Sequence, residues 1–72
     1  MNAQEIGVTF RQRREQLRLS QADAGRRASP ALMRKTVADI ENATGNPLLA
    51  SVIAYAAALG LSVQVPARRN RK

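Results

Sequence analysis

The sequence predicts an all-α fold of four short helices in one small bundle, followed by a C-terminal β-strand that pairs across a dimer. Three observations carry this expectation. Apolar residues recur at helical spacing through most of the chain, start and stop residues cut that pattern into four, and the period falls to two after Leu61.

The first helix opens at Asn2, which with Glu5 three residues on has the spacing of a reciprocal cap, and Ile6, Phe10 and Leu17 share its apolar stripe. Arg11, Arg14 and Arg18 fall between them, and the helix is expected over about 3–17. Ser20 begins the second, over about 21–28: its hydroxyl can accept from the amide of Asp23, whose carboxylate suits the positive end of the helix. Ser29-Pro30 ends it, because a residue before proline is pushed out of the helical region. Leu32, Thr36, Val37 and Ile40 then mark a short amphipathic helix over 33–42, with Arg34, Lys35, Ala38 and Asp39 on its outer face. The turn 43–47 leads to a fourth helix, with Asn46 as cap and Pro47 at the first helical position. Leu49, Val52, Ile53, Ala56 and Leu59 form its expected buried stripe. Gly60 suits the left-handed residue that closes it, with Leu61 folding back.

Leu61, Val63 and Val65 alternate with Ser62 and Gln64, the pattern of a half-buried strand. With no second strand in the chain, its edge either pairs with the same segment of a symmetry mate or the segment is an extended tail. Residues 1–60 are thus expected to form the helical domain, 61–66 a dimerisation strand and 67–72 a flexible basic tail.

A chain of 72 residues buries only a small core, and domains of this size usually need a staple. Without cysteine or histidine there is no disulfide and no thiolate or imidazole ligand, so no metal or other cofactor is expected, and oligomerisation is the remaining route. Twelve Lys and Arg against five Asp and Glu give a net charge of +7, which points to a polyanion, nucleic acid first, or simply to solubility. Catalysis is not expected: no histidine exists to activate Thr36 or the serines, and Lys35 is the one nearby base. The lack of any eighteen-residue apolar run, of an N-terminal signal peptide and of cysteine suggests a cytoplasmic protein with no membrane partner.

Helix, helix, break, helix, helix with a tight central connection is the helix-turn-helix plan. Leu19-Ser20-Gln21, Val37-Ala38-Asp39-Ile40-Glu41, Asn46-Pro47 and Leu59-Gly60-Leu61, in that order, resemble the Xre or Cro-repressor-like DNA-binding family, which implies a lambda-repressor-like bundle. Within that family the short length and the segment from Leu59 to Arg69 resemble the HipB-like antitoxins. That likeness implies a homodimeric repressor of its own operon that also binds a HipA-like kinase toxin. A stand-alone phage-type or restriction-controller regulator, and an interaction module that no longer reads sequence, remain open. An RNA-coating role is weakened because the two aromatics, Phe10 and Tyr55, both sit on apolar helical faces.

The resemblance places the third helix in the major groove of an inverted-repeat duplex, with Arg34, Lys35, Thr36, Ala38 and Asp39 reading bases. Asp39 either accepts from cytosine or pairs with a neighbouring arginine. Gln21 matches a phosphate anchor, and Asn42, Thr44, Gly45 and Asn46 a second phosphate clamp, a turn, or both. Arg14 and Glu41 match a structural ion pair joining the first helix to the end of the third. Arg11, Arg13 and Arg18 either assist phosphate binding or face water, and Arg68, Arg69, Arg71 and Lys72 can reach a minor groove or an acidic partner. Two departures from the family pattern stand out. Ala24-Gly25 replaces the usual larger pair, leaving a smaller core contact and a glycine in mid-helix that costs about 1 kcal/mol relative to alanine and lowers the expected stability, and the turn at Ser29-Pro30-Ala31 is about two residues longer than usual.

Overall fold

The computed structural model describes residues 2–62, which form four helices: α1 (Ala3–Gln16), α2 (Gln21–Arg27), α3 (Arg34–Asn42) and α4 (Leu49–Ala58). No strand occurs among the described residues. Val63, Val65 and the basic tail, which carry the expected strand and arm, lie outside them.

The expected caps on the first two helices form. Asn2 Oδ1 accepts from the Glu5 amide at 2.9 Å while Glu5 Oε1 accepts from the Asn2 amide at 2.8 Å, and Ser20 Oγ accepts from the Asp23 amide at 3.0 Å. Leu17, expected on the buried stripe of α1, is exposed instead, because the helix ends at Gln16 and the chain turns through a left-handed Arg18 with φ 59°. Ala28 leaves α2 in extended conformation, and the Leu32 amide returns to donate to the Gly25 carbonyl at 2.9 Å.

That return explains the glycine. A Cβ on Gly25 would stand 2.4 Å from the Leu32 carbonyl oxygen, so the position the sequence marks as a weakness in α2 is where the connection to α3 crosses it. A similar close approach occurs at Gly7, where a Cβ would lie 2.3 Å from the Glu41 carbonyl oxygen and so hold α1 away from the end of α3.

The start of α4 differs from the expectation. Its cap is Leu48, in extended conformation and without a side-chain hydrogen bond, so Asn46 and Pro47 precede the helix rather than open it. Asn46, coming before proline, is steered away from helical angles, and Pro47 faces Ile6, Ile40 and Val52 across a shallow hollow instead of joining the first turn. The backbone alone closes that turn, with the Ser51 and Val52 amides donating to the Leu48 carbonyl at 2.9 and 3.1 Å. At the other end, Gly60 adopts φ 74° and the Leu61 amide donates to the Ala56 carbonyl at 2.8 Å, the closure foreseen. Arg13 adds an unforeseen seal, its Nε donating to the Leu59 carbonyl at 3.0 Å.

Phe10, Ala24, Val37, Ile40, Tyr55, Ala56 and Leu59 make the buried core, with Ile6, Leu19, Leu32, Val52 and Leu61 packed around it. Phe10 and Tyr55 meet edge to face with ring centroids 5.4 Å apart. The inward stripe of α4 is therefore Val52, Tyr55, Ala56 and Leu59, while Leu49 and Ile53, expected inside, are exposed. Tyr55 is the largest fully buried side chain, and seating it against Phe10 turns the neighbouring stripe of α4 outward.

Because a methyl group at position 25 would collide with backbone, Gly25→Ala should lower stability by about 1–3 kcal/mol despite the ~1 kcal/mol helix-propensity gain. A melt that rises instead would show that the α2–α3 connection can move aside.

Candidate nucleic-acid interface

One side of α3 is anchored and the other is free. Val37, Ile40 and Glu41 are buried, whereas Arg34, Lys35 and Asn42 are exposed and Thr36, Ala38 and Asp39 are half-buried. Arg34, Ala38 and Asn42 follow one another at four-residue steps and line up along the outward stripe. Among the described residues Arg34 makes no hydrogen bond or ion pair, so its guanidinium keeps its full set of donors.

Lys35 and Asp39 behave differently. Lys35 Nζ donates to Asp39 Oδ2 at 3.0 Å, Thr44 Oγ1 donates to Asp39 Oδ1 at 3.1 Å, and the Thr44 amide donates to the Asp39 carbonyl at 2.9 Å. Asp39 thus pairs with a lysine of its own helix, not an arginine, and fastens the loop after α3. The hydrogen bond from Lys35, assisted by Thr44, holds its carboxyl below the ordinary range.

The expected phosphate contacts gather around the far end of α3. Thr44, Gly45 and Asn46 form an exposed loop, and Asn42 Oδ1 accepts from an Arg11 guanidinium nitrogen at 3.1 Å, which brings Arg11 beside the clamp. Gln21 Nε2 donates to Glu41 Oε1 at 3.2 Å, so the start of α2 sits next to the same cluster. Leu61, expected in the dimer contact, packs partly on its own core.

Glu41 is the hinge of the arrangement. It is only 3% exposed, and its carboxylate takes hydrogen bonds from Arg14 Nε at 2.7 Å and from a second Arg14 nitrogen at 3.1 Å, besides those of Gln21 and the Tyr55 hydroxyl. Arg14 spends a further donor on the Leu19 carbonyl at 2.8 Å. The Arg14–Glu41 pair is thus where the sequence placed it, while Tyr55 was missed. Its signal was present, because a phenol on a core-facing stripe needs a polar partner.

Burial by itself would push the Glu41 carboxyl up, but hydrogen bonds from Arg14, Tyr55 and Gln21 outweigh it and hold the group below its ordinary value. The same bond raises the Arg14 guanidinium. Burial, then the Glu41 carboxylate, drives the Tyr55 hydroxyl well above the usual phenol range, so it stays protonated and donates.

A polar face of α3 standing clear of the core, after the 28–33 connection from α2, is the form of a DNA-binding helix-turn-helix protein. The comparison with protein families agrees: a helix-turn-helix domain family of the Xre/Cro-like superfamily matches residues 5–69, and the chain belongs to it. A search of curated proteins finds no match. No helix among the described residues is long and apolar enough to cross a membrane.

Replacing Glu41 by Ala should cost about 3 kcal/mol, since it strands a part-buried guanidinium and a buried phenol, and a denaturant titration with unchanged midpoint would contradict this. The pH dependence has a fixed sign. With the folded pKa of Glu41 below the ordinary 4.5, the unfolded chain takes up the proton first as pH falls. Stability is therefore full above 4.5 and is lost as pH drops from there through the lowered folded value. Glu41→Gln should flatten that decline, leaving the part due to Asp39.

Proposed function

We propose that the chain is a sequence-specific transcriptional repressor that binds inverted-repeat operators as a homodimer, with α3 in the major groove and no catalytic role. The observation that carries this is the outward stripe of α3, whose unengaged Arg34 is held in place by the buried Val37, Ile40 and Glu41. Arg34 is the base reader best placed to give a guanine two parallel donors. Thr36 adds a hydroxyl, and Ala38 a methyl group for thymine. Lys35 and Asp39 reach the groove as a pair.

Phosphate contacts would come from the second amide hydrogen of Gln21, from Asn42 with the adjoining Arg11, and from Thr44, Gly45 and Asn46 in the loop. The net charge of +7 supports such contacts through release of counterions. Two copies would set their α3 helices roughly 34 Å apart, one turn of duplex, and the segment bearing Leu61, Val63 and Val65 would join them. The likeness to HipB-like antitoxins supports a narrower role: the cytoplasmic antitoxin and autoregulator of a HipBA-type operon, with a HipA-like kinase toxin as second partner.

Selection from a random duplex pool, followed by fluorescence anisotropy on base-substituted variants, tests the reading. Arg34→Ala should relax preference at one position of each half-site by about 1–3 kcal/mol, whereas Gln21→Ala should weaken every sequence alike. Equal binding of selected and scrambled duplexes by the unaltered protein would leave an interaction module in place of a repressor.

A further inference from the structure

We propose that Met33, the residue at the cap position of α3, is a further specificity-determining residue: its thioether reads the methyl group of a thymine beside the base pair that Arg34 contacts. This rests on the reading of α3 as the helix that enters the major groove, and adds to it a position that the sequence pattern did not single out.

Six large apolar side chains are exposed among the described residues, and Met33, 71% exposed, is the one that belongs to α2, α3 or the connection between them. Its backbone is fixed from both sides. Leu32 packs against the core and its amide donates to the Gly25 carbonyl at 2.9 Å, while the Met33 carbonyl accepts from the Val37 amide at 3.1 Å and so opens α3. The side chain is thus carried by a fixed point at the leading end of the helix, the end whose residues reach base edges in this geometry. Stability does not account for its presence there. A Ser, Thr, Asp or Asn at a cap position accepts from a first-turn amide, as Asn2 and Ser20 do for α1 and α2, but Met33 makes no side-chain cap bond.

The chemistry of the group selects what it can read. A thioether has no proton to donate and accepts only weakly, so it offers little to the amino groups, carbonyls and ring nitrogens of the base edges. The one apolar group displayed in the major groove is the C5 methyl of thymine. Methionine is unbranched with three side-chain torsions, which lets its terminal methyl follow such a target without moving the helix. Being neutral, the side chain gains nothing from phosphates, so unlike the net charge of +7 its contribution depends on the base it meets. At the next residue Arg34 is free of partners among the described residues, whereas Lys35 is held by Asp39. The leading end of α3 therefore presents two unengaged side chains in succession, one apolar and one with a planar set of donors, which suits a thymine next to a guanine.

The full-length protein first selects its half-site from random duplexes, and Arg34→Ala locates the guanine. Each thymine is then replaced by deoxyuridine, which lacks only the C5 methyl group, and binding is followed by fluorescence anisotropy. At one thymine per half-site, beside that guanine, the replacement should weaken binding about three- to fivefold, the effect of one buried methyl group. Met33→Ala should bind the thymine and deoxyuridine duplexes equally, whereas Met33→Leu, which stays apolar, should keep the preference. Because the side chain is exposed, both variants should retain the parent's circular dichroism. A deoxyuridine penalty that Met33→Ala leaves unchanged, or a selected half-site in which no thymine methyl matters, would overturn the proposal and leave the repressor reading standing. A parent protein that selects no sequence would overturn both.

Discussion

The buried carboxylate of Glu41 is the constraint on which the rest of the structure depends. A charge this deep survives only because every nearby element sends it a donor: Arg14 from α1, Gln21 from α2 and Tyr55 from α4. Since Glu41 itself belongs to α3, a single functional group ties all four helices together. The backbone is shaped to permit it. At Gly7, α1 approaches the last turn of α3 so closely that any side chain would strike the carbonyls of Ile40 and Glu41, and this approach brings Arg14 within reach two turns later.

The same network decides which side of α3 stands free. Holding Val37, Ile40 and Glu41 inward turns the opposite stripe outward, so Arg34, at the start of the face proposed to read bases, is oriented without itself being packed. Gln21 and Asn42 flank the cluster from two elements, which couples the positions proposed for phosphate contact to the buried centre. A small helical domain has little hydrophobic core with which to fix a helix to within an ångström. Directional hydrogen bonds to one buried anion supply that precision instead.

Local chemistry made much of this legible in the sequence. Asn2 with Glu5, Ser20 with Asp23 and Gly60 with Leu61 are short-range devices whose meaning does not depend on the rest of the chain, and each is found as read. Asn46-Pro47 has equally good cap chemistry, yet the helix starts after Leu48, because the segment is drawn across the ends of α1 and α3 first. The rotation of α4 was also hidden. Leu49 and Ile53 fit an apolar stripe as well as Tyr55 does, and periodicity cannot tell which of two adjacent stripes packs inward when a polar group from another helix decides it. Gly25 was misread for the related reason that its value lies in a contact made seven residues later.

The placement of Asp39 bears on how such a protein can discriminate among sequences. An unpaired carboxylate on the groove-facing side would be repelled by phosphates at every site, which weakens binding without regard to sequence. Paired with Lys35 and fastened by Thr44, it contributes almost no net charge and instead stiffens the last turn of α3 and the loop behind it. The uncompensated cation at the start of α3 is then Arg34, whose planar fork would distinguish guanine by geometry, where an ammonium acts mainly as a point charge. The side of α3 proposed to read bases thus carries one directional cation, one neutralised pair and a methyl group at Ala38. On the proposed reading, discrimination on this face would be built from shape and donor position, while the bulk of the positive charge lies elsewhere on the chain and would bind the backbone of any duplex.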